Sequence, residues 1–486
     1  MRATIQQKES SNKKWIIPLI IFIFSIIFEY FFGNIIFFHS YHSIRKVQNF
    51  FNNKIGLSIF DNSYDPNEDK EKRNHNEEER NNATLNLIFQ KPISFKKEKN
   101  IDDLDDFVKD VDGNIVFSEV VHFFNTNTFF IMLCAITYNF ANVYKVFVLT
   151  NSIFLGNFIS STLCFIFHSP RPYMVYYSIK PVIMFNDWGS PNTQVVILTA
   201  FSLTFYEISI RNKKMERSFV GKIIILIVIA LIAFIDVFLL FASGNIAYNQ
   251  LIFSICIGVV TYQLIFLLFK VEVNKSRQLY DYLKFKSSYY LFINAILLAF
   301  QYILSYFIID KFDEDFYTEH IEEQQERLFY SKFLNDNFNY RRHFYLNKGN
   351  FCDVLCFSMN IVAFLSVKLE LFSKYKGDYD NWSSNNFERP PQENGLLDVS
   401  EQDDYFIRDA TQWNHTGCFK TVIRFFFIIF FCICSMIPSV LIYYLIDNSE
   451  LNGYIFIIFV PMFLLVFGMF YLFKVVLRCF KLIKKH

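Results

Sequence analysis

The sequence predicts an all-α, polytopic membrane protein with about ten spanning helices and little soluble mass of its own. Three observations predict it. Of 486 residues, 53% are hydrophobic, and mean hydropathy is positive; a soluble domain this apolar would expose large adhesive patches, which lipid would instead cover. The apolar residues gather into runs near the about 20 residues that cross a bilayer as a helix. Lys and Arg gather in alternate connections.

In chain order, residues 1–14 form a basic N-terminal segment with Arg2, Lys8, Lys13 and Lys14. The first apolar run spans 15–38. It is long, and no small-residue cleavage site follows it, so it reads as a retained anchor targeting the endoplasmic reticulum membrane rather than a cleaved signal. Residues 39–124 read as a long polar loop, rich in Asn and Glu, with Glu77, Glu78 and Glu79 in a row and a glycosylation sequon at Asn82. Five further runs follow at 125–142, 145–168, 193–210, 220–242 and 246–269. The run at 125–142 is interrupted or bordered by Asn125, Asn127, Asn139 and Asn142. Residues 15–270 thus form a six-span core, and 271–287 a basic loop. The region 288–486 carries four more runs, at 288–309, 351–373, 420–446 and 452–478, with polar loops at 311–350 and 374–419.

Orientation follows from the short loops. Arg211, Lys213, Lys214, Arg217 and Lys222 follow the fourth run; Lys270, Lys275, Arg277, Lys284 and Lys286 follow the sixth. Lys474, Arg478, Lys481, Lys484 and Lys485 close the chain, whereas 243–245 carries no charge and 447–453 only Asp447 and Glu450. Ten spans place every basic segment, and both termini, in the cytoplasm. The membrane itself is left open: endoplasmic reticulum, another endomembrane or the plasma membrane.

Composition also sets aside some functions. Net charge is +1, so no basic field points to nucleic acid. The expected partners are membrane lipids and other membrane proteins. Nine cysteines are scattered, mostly in apolar runs, without paired CxxC units for zinc. His320 and His343 lie near Glu319, Glu322 and Glu323, a spacing common on a polar helix. Neither a metal nor a cofactor is expected. The 63 Phe and 28 Tyr read as coding bias rather than an aromatic binding motif.

Chemistry is most legible in three connections expected on one membrane face. His168-Ser169-Pro170-Arg171-Pro172-Tyr173 ends the third run, and Trp188-Gly189-Ser190-Pro191-Asn192-Thr193-Gln194 leads into the fourth. Ala242-Ser243-Gly244-Asn245-Ile246-Ala247-Tyr248-Asn249-Gln250 joins the fifth and sixth. Asp236, inside the fifth run, is a carboxylate at membrane depth, which costs a few kcal/mol or more unless paired or protonated. It lies one turn before Leu240, so pairing with Arg171 is one expectation and a protonated Asp bonded to a backbone carbonyl the other. Glu29, in the first run, raises the same question.

Over residues 15–270 this arrangement resembles the type 2 phosphatidic acid phosphatase superfamily, which includes glucose-6-phosphatases and dolichyl pyrophosphate phosphatases. The resemblance implies a six-helix core, with phosphate held by motif cations and backbone, a nucleophilic His oriented by an Asp, a second His as general acid, and no metal. Arg171 and Pro172 match the Arg-Pro of the first motif, and Pro191 the proline of the second. Cys164 stands at the lysine position. Asn192, Thr193 and Gln194 replace Ser, Gly and the acid His. Leu240 stands at the arginine position, Ile246 at the nucleophilic His and Gln250 at the Asp; Gly244, Asn249 and Gln250 are similar to a variant third motif.

An alkyl side chain at 246 cannot form a phosphohistidine. Gln194 cannot release a proton near neutral pH. Cys164 and Leu240 remove two cations. The resemblance therefore implies a pseudo-phosphatase. It would bind a phospholipid or isoprenoid phosphate through Arg171, Pro172, Pro191, Gln194 and Asn249, or act as a membrane scaffold. Two further readings stay open. One is an active, divergent hydrolase of lipid or sugar phosphomonoesters or pyrophosphates at the luminal face, with His168 as substitute acid or nucleophile. The other is a transporter or channel. The four C-terminal runs carry no recognised motif; packing on the core and binding a partner are both open.

Overall fold

The computed structural model describes residues 2–50, 127–138, 143–167, 169–175, 179, 188–210, 219–268, 287–309, 359–366, 418–445 and 460–480. Asn82, His168, His320 and His343 lie outside the described residues. The regular elements among the described residues are all helical, apart from an isolated antiparallel bridge between Ser169 and Ser190.

The helices are α1 (Arg2–Phe50), α2 (Asn127–Tyr138), α3 (Val143–Phe167), the short α4 (Pro172–Val175), α5 (Thr193–Ile210), α6 (Phe219–Ala242), α7 (Tyr248–Leu268) and α8 (Ser287–Ile309). Residues 359–366 form α9. Then come α10 (Cys418–Leu445) and a last rod in which residues 460–467 (α11) run through a π-helical turn, Gly468–Leu472, into α12 (Phe473–Cys479). Each of the ten apolar runs thus carries helix. Among the described residues, four stretches are long and apolar enough to cross a membrane: Trp15–Gly33, Lys145–Phe167, Phe219–Ala242 and Tyr248–Leu267. Phe219, Ile227 and Phe234 of α6 project outward, an apolar surface compatible with insertion in lipid.

One boundary differs from the sequence reading. The polar loop expected from residue 39 begins as helix, because α1 continues unbroken to Phe50. The reason is packing. Ser25, Glu29, Gly33, Ser40, Ile44 and Gln48 are buried, spaced by four or seven, so they form one stripe of an α-helix. That stripe rests on α7 and, less extensively, on α6. Beyond residue 38 it satisfies two helix ends. Ser40 Oγ accepts the Tyr248 N–H at the start of α7 at 2.9 Å, and Gln48 Nε2 donates to the Ala242 carbonyl at the end of α6 at 3.0 Å. Both are backbone groups that a helix cannot satisfy by itself.

Gln48→Ala is expected to lower stability by about 1–3 kcal/mol, since it leaves a buried carbonyl without its donor. Thermal unfolding of the purified chain checks this; an unchanged midpoint would show that the α1 extension does not hold α6.

Inside the bundle, α7 packs against α1, α3 and α5, and α5 packs against α3, α6 and α7. The C-terminal helices join the same core. Gln301 Nε2 of α8 donates to the Phe158 carbonyl of α3 at 2.7 Å and to Thr162 Oγ1 at 2.6 Å. Asn360 Nδ2 of α9 donates to Asn294 Oδ1 of α8 at 2.9 Å. Phe147 of α3 and Phe470 of the π turn meet edge to face at 6.3 Å. Packing on the core, one of the two possibilities left open for this region, is therefore observed.

Candidate functional site

The three connections meet at one end of the bundle. Tyr173 N–H donates to the Gly244 carbonyl at 3.4 Å, and Gly189 N–H to the Ser169 carbonyl at 2.8 Å. Arg171 donates through a guanidinium nitrogen to the Asn245 carbonyl at 2.9 Å. Gln250 Nε2 donates to the Pro170 carbonyl at 2.7 Å and to Ser169 Oγ at 3.2 Å, while its Oε1 accepts the Ala247 N–H at 3.1 Å. Gln250 thus ties the 169–170 segment to the turn opening α7. Gly244 takes φ +72°, the left-handed region, where this turn reverses direction.

The segment 188–192 is fixed from both sides. Asn192 caps α5: its Oδ1 accepts the Val195 N–H at 3.2 Å, as a side chain does at a helix N-terminus. Its own N–H donates to Ser254 Oγ of α7 at 2.7 Å. The Pro191 carbonyl accepts the Cys164 thiol at 3.1 Å and Ser160 Oγ at 3.3 Å, and Ser160 Oγ also donates to Thr193 Oγ1 at 2.9 Å. The Ser190–Pro191 peptide is cis. Pro172 is buried at the first position of α4, where its missing N–H costs nothing.

The positions at which the resemblance implies lysine, arginine and the nucleophile do come together, but as a thiol and two alkyl side chains. Cys164, Leu240 and Ile246 belong to one buried apolar cluster with Trp188, Tyr173 and Val195. Ile246 is 0% exposed. Arg171, also 0% exposed, is a buried cation facing a backbone carbonyl.

Asp236 is buried near the end of α6, and neither carboxylate oxygen has a hydrogen-bond partner among the described residues. The expected pair between Asp236 and Arg171 is not formed. Among the described residues no group of three His, Cys, Asp or Glu is placed to hold a metal.

Sequence reasoning left one member out of the site. Glu29 reaches it from α1: Oε1 accepts Ser190 Oγ at 2.7 Å and Asn249 Nδ2 at 3.0 Å. Asn249, read from the sequence as a phosphate contact, is thus engaged with a carboxylate. The signal was present in the sequence as Ser25, Glu29 and Gly33 at intervals of four, the spacing of small and polar residues with which membrane helices pack. Gln194 is half-buried, and its Oε1 has no partner among the described residues.

No protein-family model, curated protein or solved structure matches this chain.

Proposed function

We propose that this chain is an integral membrane protein with a lipid-phosphatase-like six-helix core whose site has become a structural junction, so that it serves as a non-catalytic membrane scaffold. One observation carries this reading. Cys164, Leu240 and Ile246, which stand at the resemblance's two motif cations and its nucleophile, converge in space in one buried apolar cluster. Their convergence is what the phosphatase core would require. None of the three carries a charge to hold a phosphate, Ile246 has no nucleophilic atom at the position of attack, and the Cys164 thiol is engaged with the Pro191 carbonyl.

The remaining motif residues have structural work that accounts for them. Asn192 caps α5, Gln250 ties two connections together, and Arg171 braces the 243–247 turn. A phosphate would have to draw Arg171 off a buried carbonyl and approach the Glu29 carboxylate on the same face. Ten spans with both termini cytoplasmic remain the topology that the alternating basic loops favour, which puts this junction on the luminal or outer side.

The test is inorganic phosphate release by the purified protein from a panel of lipid phosphomonoesters and pyrophosphates, with Arg171→Ala and His168→Ala beside the wild type. All three are expected to match the protein-free blank. Turnover by wild type that disappears in either variant would replace this reading with that of an active hydrolase.

A further inference from the structure

Glu29 and Asn249 face each other across the α1–α7 contact and leave two acceptor oxygens unfilled. Glu29 is 7% exposed and Asn249 2% exposed. One contact joins them, from Asn249 Nδ2 to Glu29 Oε1 at 3.0 Å. Glu29 Oε2 and Asn249 Oδ1, the other oxygen of each group, are buried and have no hydrogen-bond partner among the described residues. Buried acceptors without donors are rare, and each one calls for an explanation such as a bound ion.

The unfilled atoms also define the ligand. Across the three connections and α1, unfilled oxygens on Glu29, Gln194, Asn245 and Asn249 outnumber the one unfilled donor, Asn192 Nδ2. An anion would satisfy that donor and be repelled by the rest. Carboxylate and amide oxygens are hard ligands, suited to alkali and alkaline-earth cations rather than soft metals. Glu29 brings one negative charge. In a low-dielectric interior a single positive charge cancels it, whereas a divalent ion would leave a net charge buried.

We infer that Glu29 and Asn249 form a monovalent-cation site, with Glu29 Oε2 and Asn249 Oδ1 as its protein ligands and Ser190 Oγ holding the carboxylate in place. The site rests on these contacts and not on the phosphatase-like reading, so each stands or falls alone. Filling it would neutralise a carboxylate inside the bundle and fasten α1 to α7 where the motif connections converge.

The experiment is thermal unfolding of the full-length protein in detergent at fixed pH and ionic strength. Lithium, sodium or potassium chloride replaces N-methylglucamine chloride, whose bulky organic cation cannot reach two buried oxygens. A ligand that binds only the folded state raises the midpoint with its concentration. At least one alkali cation is expected to give a saturable rise of about 3 °C in wild type, and Glu29→Gln to abolish that dependence. Asn249→Ala retains the carboxylate and is expected to shift the response to roughly tenfold higher cation. If Glu29→Gln does not fold, wild type and Asn249→Ala decide the matter. Equal midpoints in all four salts would overturn the site, leaving a protonated Glu29 bonded to Asn249. A cation response unchanged in the variants would overturn it as well.

Discussion

Arg171→Ala is expected to lower the stability of the folded chain by about 3–5 kcal/mol, the sum of a lost charge-assisted hydrogen bond, an orphaned carbonyl and a cavity. Arg171 is the one charged motif residue that matches the phosphatase pattern, so a ligand role and a structural role make opposite forecasts for it. A ligand-binding cation is held in reserve for its ligand, and its loss costs little stability. Here the guanidinium is fully buried and already donates to the Asn245 carbonyl, the residue before Ile246 in the turn between α6 and α7. Removing it takes the brace from that turn.

Arg171→Lys should recover only part of the loss, because an ammonium lacks the planar fork that reaches two directions at once. Gln194→Ala serves as the contrast. Its Oε1 has no partner among the described residues, so its loss should change stability by less than about 1 kcal/mol. Melting curves of the three variants in detergent would decide. Equal midpoints for Arg171→Ala and wild type would return Arg171 to the role of a ligand-binding residue.

How far the sequence foretold this depended on which property carried the information. Hydrophobic runs mark helices because each spanning backbone must satisfy itself, so α3, α5, α6 and α7 fall within a residue or two of their apolar runs. The convergence of the 169–173, 188–194 and 243–250 segments was also legible, through Arg171, Pro172 and Pro191. The extension of α1 to Phe50 was not, because hydropathy falls away after Phe38. The stripe that continues, Ser40, Ile44 and Gln48, is mostly polar and shows only against its partners Tyr248 and Ala242. Glu29 reads in the sequence as a buried charge without a place, since it and Asn249, at the start of α7, lie more than two hundred residues apart. For Asp236, burial was legible from its place in an apolar run, and the lack of an Arg171 pair was not. Proximity along one helix face says nothing about which way Arg171 turns in an earlier connection of the chain, and the Asn245 carbonyl takes it.

Gly258→Leu is expected to stop the chain from reaching its folded state, because α7 crosses α5 there with no room for a side chain. A Cβ on Gly258 would lie 2.6 Å from Thr199 Cβ and 3.0 Å from the Val196 carbonyl oxygen, so backbone as well as side chain opposes it. Small residues at such crossings let two helices approach closely enough for dispersion to hold them where lipid provides no hydrophobic drive between helices. Gly258→Ala already brings its Cβ too close to Thr199 Cβ, an atom fixed to the α5 backbone, so the helices themselves must shift, at a cost of about 1–3 kcal/mol or more. Leucine adds three more carbons and demands that the helices part. Two turns along α7 from Gly258 stand Gln250 and Asn249, which tie together the 169–170 segment, the 247 turn and Glu29. A displaced α7 therefore opens the whole junction, and the alkali-cation response of the wild type should vanish even in whatever fraction of Gly258→Leu still extracts as a single species. Size-exclusion profiles of the two variants test this: a monodisperse Gly258→Leu with wild-type melting and an intact cation response would show that α5 and α7 do not touch at this point.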